Sequence, residues 1–363
     1  AGINSTMIGT GLSTGTFTVD DLPLWKGESG DNYQKVSSRA YRRKGDLYWD
    51  VRVNGGKPIK RMLIKTPVDA VSMPGLPLDR TLVNDWIHAR KGNVLYFVTS
   101  NIPREAIGMG SLYFSLYNME NETYEDFLVP RFSGGNFDIN YSKYMFAKGD
   151  YIYLQTNLPG HILRFDTRRK TVEWHPVRNM EKLGIMAAFA HGDGKVWYAG
   201  GEDREYRSTI GEFDPETGEV TVLWNLPAGR IYPSLAYRNG KLYIAGGQES
   251  LFSLASDAYV IDVNSGESVS KHLPFAANHG QLVFAENRVY YLLGKSMASE
   301  GSVKGDQYLA AYANLTESGW IGNWHIHPEF IFPKVNNTSG SAFFLNVEGT
   351  PLEEADNKFL YVY

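Results

Sequence analysis

Four side chains in this sequence have the types that acid–base chemistry on a charged substrate needs. Tyr232 and His279 can act as general acid and base, and Arg230 can neutralise a substrate carboxylate. With Tyr141, the set suits β-elimination on a uronic-acid polymer, the reaction of a polysaccharide lyase. If the protein is an enzyme, these four are therefore its candidate catalytic residues.

A second group of polar side chains is better suited to binding than to catalysis. Amide, carboxylate and guanidinium groups form hydrogen bonds with sugar hydroxyls or with polar groups of a protein partner. The candidate binding residues are Asn84, Asp85, Asn140, Asn278, Asn337, Arg104, Arg204 and Arg207.

A glycoside hydrolase is the other enzyme class to consider, and it would need two carboxylates facing each other across a cleft. The sequence offers several acidic residues in the segments predicted to be long loops, but it does not place any two at a catalytic separation. These residues are Asp85, Glu105, Glu202, Asp203 and Glu249.

Metal chemistry has little support in the sequence. The chain contains no cysteine, which excludes disulfides, thiolate catalysis and cysteine-based zinc sites. His325 and His327 lie on one side of an extended segment and could hold a metal, but ordinary surface or inter-blade packing is the expected role of both. We therefore predict no metal site and no cofactor.

Charge and hydrophobicity limit the classes of partner. The net charge of −4 argues against nucleic acid, whose binders usually carry a basic face. No apolar run approaches the roughly 18 residues of a membrane-spanning helix, so we expect no membrane span. The expected partner is a glycan or a protein. No targeting segment is visible, and a location outside the cell or on a cell or virion surface is the expectation.

An internal repeat predicts the elements that would position these residues. The segments Gly194–Gly201 and Gly240–Gly247 align, each with a turn, a strand and a terminal double glycine. A later hairpin recurs from residue 117 in steps of 49, 48, 48 and 51, at Tyr117, Asp166, Asp214, Asp262 and Ala313. A period near 48 residues with four short strands per unit is typical of β-propeller blades.

Seven copies of the turn-strand unit predict seven four-stranded blades. The copies begin at Gly45, Asn93, Gly149, Gly194, Gly240, Asn287 and Asn357. The last copy reaches the C-terminus, so we expect N-terminal strands at Met7-Ile8 and Thr16–Val19 to complete its blade and close the ring. Residues 1–363 would then form one all-β domain.

The fourth and fifth units resemble the kelch repeat. Each has a strand, a double glycine (Gly200-Gly201 and Gly246-Gly247), a variable loop and a later aspartate turn. The resemblance covers about a third of the chain and implies a propeller. Kelch propellers include interaction modules, carbohydrate-active enzymes and a copper oxidase whose cysteine is missing here, so the resemblance does not select a function.

One face of the predicted propeller carries both groups of candidates. The segments leading into the inner strands surround the central channel, and the long second-to-third loops of units 2, 4, 5 and 6 share that face. We expect a recognition module that binds a carbohydrate or a protein there. The alternatives are a lyase or hydrolase at the channel mouth, and a structural hub in an assembly such as a phage tail.

Overall fold

The computed structural model describes most of the chain between residues 80 and 326, together with several β-strands before and after this range. The described residues are 80–82, 87–101, 111–118, 120–121, 123–135, 137, 145–158, 160–285, 287–296 and 307–326, with the strands at 36–43, 46–53, 58–63, 69–71, 341–346 and 357–362. Within them the protein is all-β, with one 3-10 turn at Met180–Lys182.

The strands form successive antiparallel sheets, which we number in chain order. Sheet 1 contains β1 (Val36–Arg43), β2 (Asp46–Val53) and β3 (Pro58–Leu63). Sheet 2 contains β5 (Thr81–Leu82), β6 (His88–Lys91), β7 (Val94–Ser100), β8 (Leu112–Asn118) and β9 (Thr123–Leu128), with β5 and β6 both paired to β7. Sheet 3 contains β10 (Met145–Lys148), β11 (Tyr151–Leu154), β12 (His161–Asp166) and β13 (Thr171–Pro176).

Sheets 4 and 5 each carry a small hairpin between their second and third strands. Sheet 4 contains β14 (Ala188–Gly192), β15 (Lys195–Ala199), β18 (Thr209–Phe213) and β19 (Val220–Asn225), and its hairpin is β16 (Glu202–Asp203) with β17 (Glu205–Tyr206). Sheet 5 contains β20 (Ser234–Arg238), β21 (Lys241–Ala245), β24 (Asp257–Asp262) and β25 (Ser268–His272), and its hairpin is β22 (Gln248–Ser250) with β23 (Ser253–Leu254).

Two further sheets complete the described part. Sheet 6 contains β26 (Gln281–Ala285), β27 (Arg288–Ser296), β28 (Gln307–Leu315) and β29 (Ile321–Ile326). Sheet 7 contains β30 (Ser341–Asn346) and β31 (Asn357–Val362), and β4 (Asp69–Val71) pairs with β31 in parallel. The strand beside β31 therefore comes from residues 69–71. The predicted closing strands at Met7-Ile8 and Thr16–Val19 lie outside the described residues.

Alternate residues of the second strands face two different apolar cores. On β15, Val196 and Tyr198 pack in the core shared with sheet 3, whereas Trp197 and Ala199 pack in the core shared with sheet 5. Successive side chains of a strand point to opposite faces, so a strand with apolar residues at every position is buried on both sides. Sheets 2 to 6 are therefore stacked face against face, with an apolar core between each neighbouring pair of these five sheets.

The turns that join third and fourth strands repeat one local structure. The side-chain Oδ1 of Asp166, Asp214 and Asp262 accepts backbone N–H groups two residues further on, at 2.9 Å in each case. Asn118 does the same with Glu120. These are Asx turns, which free the chain to reverse without leaving a polar group unpaired. The predicted hairpins with Asp and Asn turn chemistry are confirmed here.

First strands of consecutive sheets contact each other from β6 through β10, β14, β20 and β26 to β30. All seven predicted turn-strand units lie at second strands, β2, β7, β11, β15, β21, β27 and β31. A series of sheets stacked in this way is compatible with a β-propeller. No helix in the described part of the chain is long and apolar enough to cross a membrane.

Candidate functional site

The segments that lead into the first strands of sheets 4, 5 and 6 are bonded to the sheet before them. We call residues 184–187, 230–233 and 277–280 the lead-in segments. The N–H of Gly201 donates to the carbonyl of Arg230 at 2.9 Å, and that of Gly247 donates to the carbonyl of Ala277 at 2.8 Å. The double glycines of the kelch-like repeat thus connect each sheet to the next one.

Glycine is required at these positions by close approach and by backbone conformation. A Cβ on Gly200 would lie 2.4 Å from the carbonyl oxygen of Arg230, and one on Gly246 would lie 2.4 Å from that of Ala277. Both glycines also have positive φ, at 71° and 63°. The repeat motif is therefore explained by packing between sheets, independently of any ligand.

Sheet 3 makes the same connection with a side chain. It has Gln155 where sheets 4 and 5 have their first glycine, and the Nε2 of Gln155 donates to the carbonyl of Gly184 at 2.7 Å. Gly184 occupies the place in its lead-in segment that Arg230 and Ala277 occupy in theirs. A fully buried amide thus replaces the backbone N–H of a glycine pair.

Three non-glycine residues in the lead-in segments have left-handed backbone conformations. Met186, Tyr232 and His279 have φ of 59°, 51° and 57°. The N–H of Tyr232 donates to the carbonyl of Met186 at 3.0 Å, and the N–H of His279 donates to that of Tyr232 at 3.3 Å. This series of bonds holds three successive segments side by side, and it supports an unusual conformation that is otherwise costly.

Tyr232 and His279, two of the predicted catalytic residues, are in direct contact. Their ring centroids lie 4.0 Å apart at an interplanar angle of 36°. Tyr232 is buried, packed with Met186 and Ile231, whereas His279 is half-buried. The two side chains are therefore close together in the structure, as their places in the repeat predict.

Arg230, the predicted carboxylate-binding residue, is engaged within the protein. Its side chain is fully buried, and its Nη1 and Nη2 donate to the two carboxylate oxygens of Asp257 at 2.5 and 2.9 Å. Nη1 also donates to the carbonyl of Gly246, and Glu249 lies 3.7 Å from Nη2. A ligand carboxylate would have to displace Asp257 from this bidentate pair, which is an expensive exchange for a buried cation.

The electrostatics of Asp257 reflect this pairing. Burial alone would raise the pKa of the Asp257 carboxyl, but hydrogen bonds from Arg230 and Tyr259 outweigh it, and the pKa lies below its ordinary value. Tyr259 donates to Asp257 at 2.6 Å, and burial together with this bond raises the pKa of Tyr259 to about 12. The Arg230–Asp257–Tyr259 group therefore acts as a structural anchor for sheet 5.

The long loops of units 4 and 5 are ordered as the two hairpins described above. We call Glu202–Tyr206 hairpin A and Gln248–Leu254 hairpin B. Backbone bonds pair Glu202 with Ile185, and Gln248 with Ile231, so each hairpin is fastened to the lead-in segment of its own sheet. The sequence predicted loops at these places, and the hairpins themselves were not predicted.

An open groove of about 700 Å³ lies between the two hairpins. Its lining includes Ala228 and Gly229, just before the lead-in segment of sheet 5. The remaining lining residues come from the hairpins: Glu202 and Tyr206 from hairpin A, and Glu249, Ser250, Leu251 and Phe252 from hairpin B. The groove therefore combines aromatic and aliphatic surface with two carboxylates.

The tip of hairpin B exposes large apolar side chains. Leu251 is 74% exposed and Phe252 is 86% exposed. Exposed apolar side chains gathered at a groove are typical of a binding surface. These two residues were not predicted as site residues; their signal in the sequence is a Leu-Phe pair flanked by serines in the middle of a long loop.

Tyr206 connects the groove to the predicted catalytic pair. Its ring lines the groove and packs against the small cluster formed by Met186, Ile231 and Tyr232. Burial raises the pKa of Tyr206 above its ordinary value, and the nearby Glu202 carboxylate raises it further. Its hydroxyl therefore stays protonated at neutral pH and can donate a hydrogen bond.

The other described candidates lie around the groove. The Nη2 of Arg207 donates to Asp203 at 2.7 Å and to the carbonyl of Glu181, so this side chain stabilises hairpin A. Arg204 is exposed at the tip of the same hairpin. Asn278 is buried and donates to Gln248 of hairpin B at 3.3 Å.

The remaining predicted site residues fall outside the described part of the chain. They are Asn84, Asp85, Arg104, Asn140, Tyr141 and Asn337. Among the histidines considered for a metal, His325 is exposed on β29 and its ring lies beside Tyr312, while His327 is outside the described residues. Within the described ranges, no group of three or more His, Asp or Glu side chains could hold a metal ion.

No family model and no curated protein matches this chain. Among solved structures, the chain is similar to one described as "Structure of YjhT", at 12% sequence identity and a TM-score of 0.47. The similarity covers 80% of this chain and 98% of that one. A likeness this low assigns no function.

Proposed function

We propose that this protein is a recognition module that binds a carbohydrate in the groove between hairpins A and B. The scaffold we propose for it is a seven-bladed, kelch-like β-propeller with four-stranded blades. The single observation that carries the functional proposal is the groove itself, where Tyr206, Leu251 and Phe252 lie beside Glu202 and Glu249.

The chemistry of the lining suits a sugar ring. The C–H face of a pyranose packs on aromatic and aliphatic side chains, while its hydroxyls donate to carboxylates. Phe252 and Leu251 offer the exposed apolar surface, and Glu202 and Glu249 are the acceptors. An open groove also suits a polymer better than a small enclosed ligand does.

The support beneath the groove favours recognition of a ligand without large rearrangement. Each hairpin is fastened to a lead-in segment by a pair of backbone bonds, and Arg230 is fixed by Asp257 directly beside Glu249. Rigid positioning of the lining lowers the conformational entropy lost on binding.

The test of this proposal compares alanine variants of exposed apolar residues inside and outside the groove, by glycan array and by titration calorimetry. Leu251→Ala and Phe252→Ala should each weaken glycan binding roughly ten-fold through lost contact area. Leu128→Ala, at an exposed leucine of β9 away from the groove, should bind as the parent does. Equal binding by all three variants, or the absence of any glycan ligand, would contradict the proposal.

A second candidate function is favoured by the contact between Tyr232 and His279. A tyrosine and a histidine 4.0 Å apart in left-handed conformations could serve as acid and base in a polysaccharide lyase. Turnover of an acidic polysaccharide, followed by the ultraviolet absorbance of unsaturated products, should then be abolished in Tyr232→Phe and His279→Ala. Turnover that survives in both variants would exclude this pair as the catalytic residues.

We also propose that the protein acts outside the cell or on a cell or virion surface, where a polysaccharide ligand would be encountered. Use as a structural hub would instead be indicated by stable oligomers in light scattering together with no glycan binding.

A further inference from the structure

The charges around the groove suggest which class of glycan it would accept. Glu202 and Glu249 are the ionisable carboxylates of the lining, and Tyr206 is neutral because its pKa is raised. Within the described lining there is no lysine, arginine or histidine. The wall of the groove is therefore negative.

Arg230 and Arg207 do not offset this negative charge, and Arg204, exposed at the tip of hairpin A, is not part of the lining. Arg230 lies between Asp257 and Glu249, so one guanidinium serves two carboxylates and the three groups together carry one negative charge. The Nη2 of Arg207 is engaged by Asp203 at 2.7 Å, and this pair is neutral as a whole. Glu202 adds a second uncompensated negative charge beside Tyr206.

From this charge distribution we infer that the groove binds a glycan carrying free amino groups, and that it disfavours uronates. This inference rests on the proposed carbohydrate function and specifies its substrate class. An ammonium group on a hexosamine would meet the carboxylates of Glu202 or Glu249 while the ring packs on Leu251 and Phe252. A uronate would meet the same carboxylates with like charge and with no guanidinium in the groove lining.

The acidic character of the whole chain agrees in sign with this inference. The net charge of −4 favours the approach of a cationic ligand, and the attraction should weaken as salt is added. A charge-driven preference is thus distinguishable from packing alone, because contact with Leu251 and Phe252 does not weaken with added salt.

The experiment uses the full chain and three oligosaccharides of equal length in titration calorimetry. These are a β-1,4-glucosamine oligomer, its fully N-acetylated neutral counterpart, and an oligogalacturonate. We expect the glucosamine oligomer to bind roughly ten-fold more tightly than the neutral one, and the uronate more weakly than both. Glu202→Gln and Glu249→Gln should reduce that preference, and together they should remove it.

The matched control is Glu267→Gln, at an exposed glutamate in the turn of sheet 5. It removes the same charge from the chain but leaves the groove intact, so the ten-fold preference should persist. Melting temperatures of all variants would confirm that each one is folded.

The possible failures are separable. Equal binding of the amino and neutral oligomers, or an amino preference lost equally in Glu267→Gln, would overturn the inference while the proposed function stands. No binding of any oligosaccharide would overturn both. Binding of a lysine-rich peptide in place of the glucosamine oligomer would also overturn both, since the groove would then recognise protein.

Discussion

The side-chain amide of Gln155 donates to the carbonyl of Gly184 at 2.7 Å, across the boundary between sheets 3 and 4. Gly201 and Gly247 make the equivalent bond with their backbone N–H groups, to Arg230 and Ala277. The carbonyl at the first position of each lead-in segment therefore accepts a hydrogen bond from the preceding sheet. The donor is a side-chain amide in sheet 3 and a backbone N–H in sheets 4 and 5.

Loss of the Gln155 amide should destabilise the protein. Gln155→Leu keeps most of the side-chain volume but leaves the carbonyl of Gly184 without this donor, which should cost about 1–3 kcal/mol. Urea unfolding would measure the change. The comparison is Ser208→Ala, which removes an exposed bond of 3.4 Å to Asn225 and should cost about 0.5 kcal/mol. Equal decreases in the free energy of unfolding would show that the bond between sheets 3 and 4 stabilises the protein no more than an exposed bond does.

Replacement of a connecting glycine should cost more than replacement of a turn glycine with the same conformation. Gly246→Ala places a Cβ 2.4 Å from the carbonyl of Ala277, whereas Gly194→Ala meets nothing within 4 Å. Both have positive φ, so Gly194→Ala should cost about 1 kcal/mol and Gly246→Ala about 3 kcal/mol. Thermal unfolding would compare them, and similar melting temperatures would contradict the packing argument.

Removal of the carboxylate that holds Arg230 should be strongly destabilising at neutral pH. Asp257→Asn leaves a buried guanidinium without its bidentate carboxylate, with only Glu249 remaining at 3.7 Å, and about 3–5 kcal/mol should be lost. Asp203→Asn, which breaks the more exposed pair with Arg207, should cost about 0.5 kcal/mol.

The Asp257 pair also predicts the direction of a pH effect. The folded pKa of Asp257 is lowered, so its contribution to stability is complete above the unfolded pKa near 3.9 and is lost as pH falls through the folded value. The difference between the parent and Asp257→Asn should therefore shrink in acid. A difference that stays constant down to about pH 2 would contradict this pairing.

His191 predicts a second pH effect, of opposite origin. Desolvation lowers the pKa of His191 to about 4, with a backbone bond to Arg90 opposing the shift and the charge of Lys91 adding to it. Below the unfolded pKa near 6.5, the unfolded chain gains a proton that the folded protein does not. The free energy of unfolding should therefore decrease as the pH is lowered from 6.5 to about 4.

The variant His191→Asn tests this effect, because its amide oxygen can still accept the N–H of Ala147 that Nδ1 accepts at 3.2 Å. Stability of the variant should depend less on pH over this interval than stability of the parent. His272→Asn, at an exposed histidine, controls for loss of a histidine elsewhere. If the parent and His191→Asn change in parallel with pH, the burial of a neutral imidazole is not the cause.

Local patterns in the sequence predicted the strands and turns well, because those elements depend on nearby residues. The alternation of Val196, Trp197 and Tyr198 and the Asp-initiated turns carry their own structural information. The charge partner of Arg230 was not predictable in the same way. Asp257 lies 27 residues away, and only the pairing of β21 with β24 brings it under the guanidinium.

The sequence predicted which face of the fold carries the candidate site, but it did not predict the groove between hairpins A and B. The lead-in segments follow from the repeat, and so does the contact of Tyr232 with His279. The groove instead depends on two loops folding into hairpins. The six candidates outside the described part of the chain, from Asn84 to Asn337, still stand as predictions. The geometry of these loops depends on contacts between distant residues, such as Glu202 with Ile185, and a local sequence pattern does not predict such contacts.

Hairpins A and B each begin directly after a glycine pair whose N–H is already bonded to the following sheet. The hydrogen bond between neighbouring sheets is therefore made by residues that precede each hairpin, and it does not involve the hairpin itself. Segments 203–206 and 249–254 could be exchanged for sequences of other lengths at little entropic cost to the surrounding sheets. The protein is in this respect a natural support for grafted loops, on which new binding specificities could be selected without redesign of the scaffold.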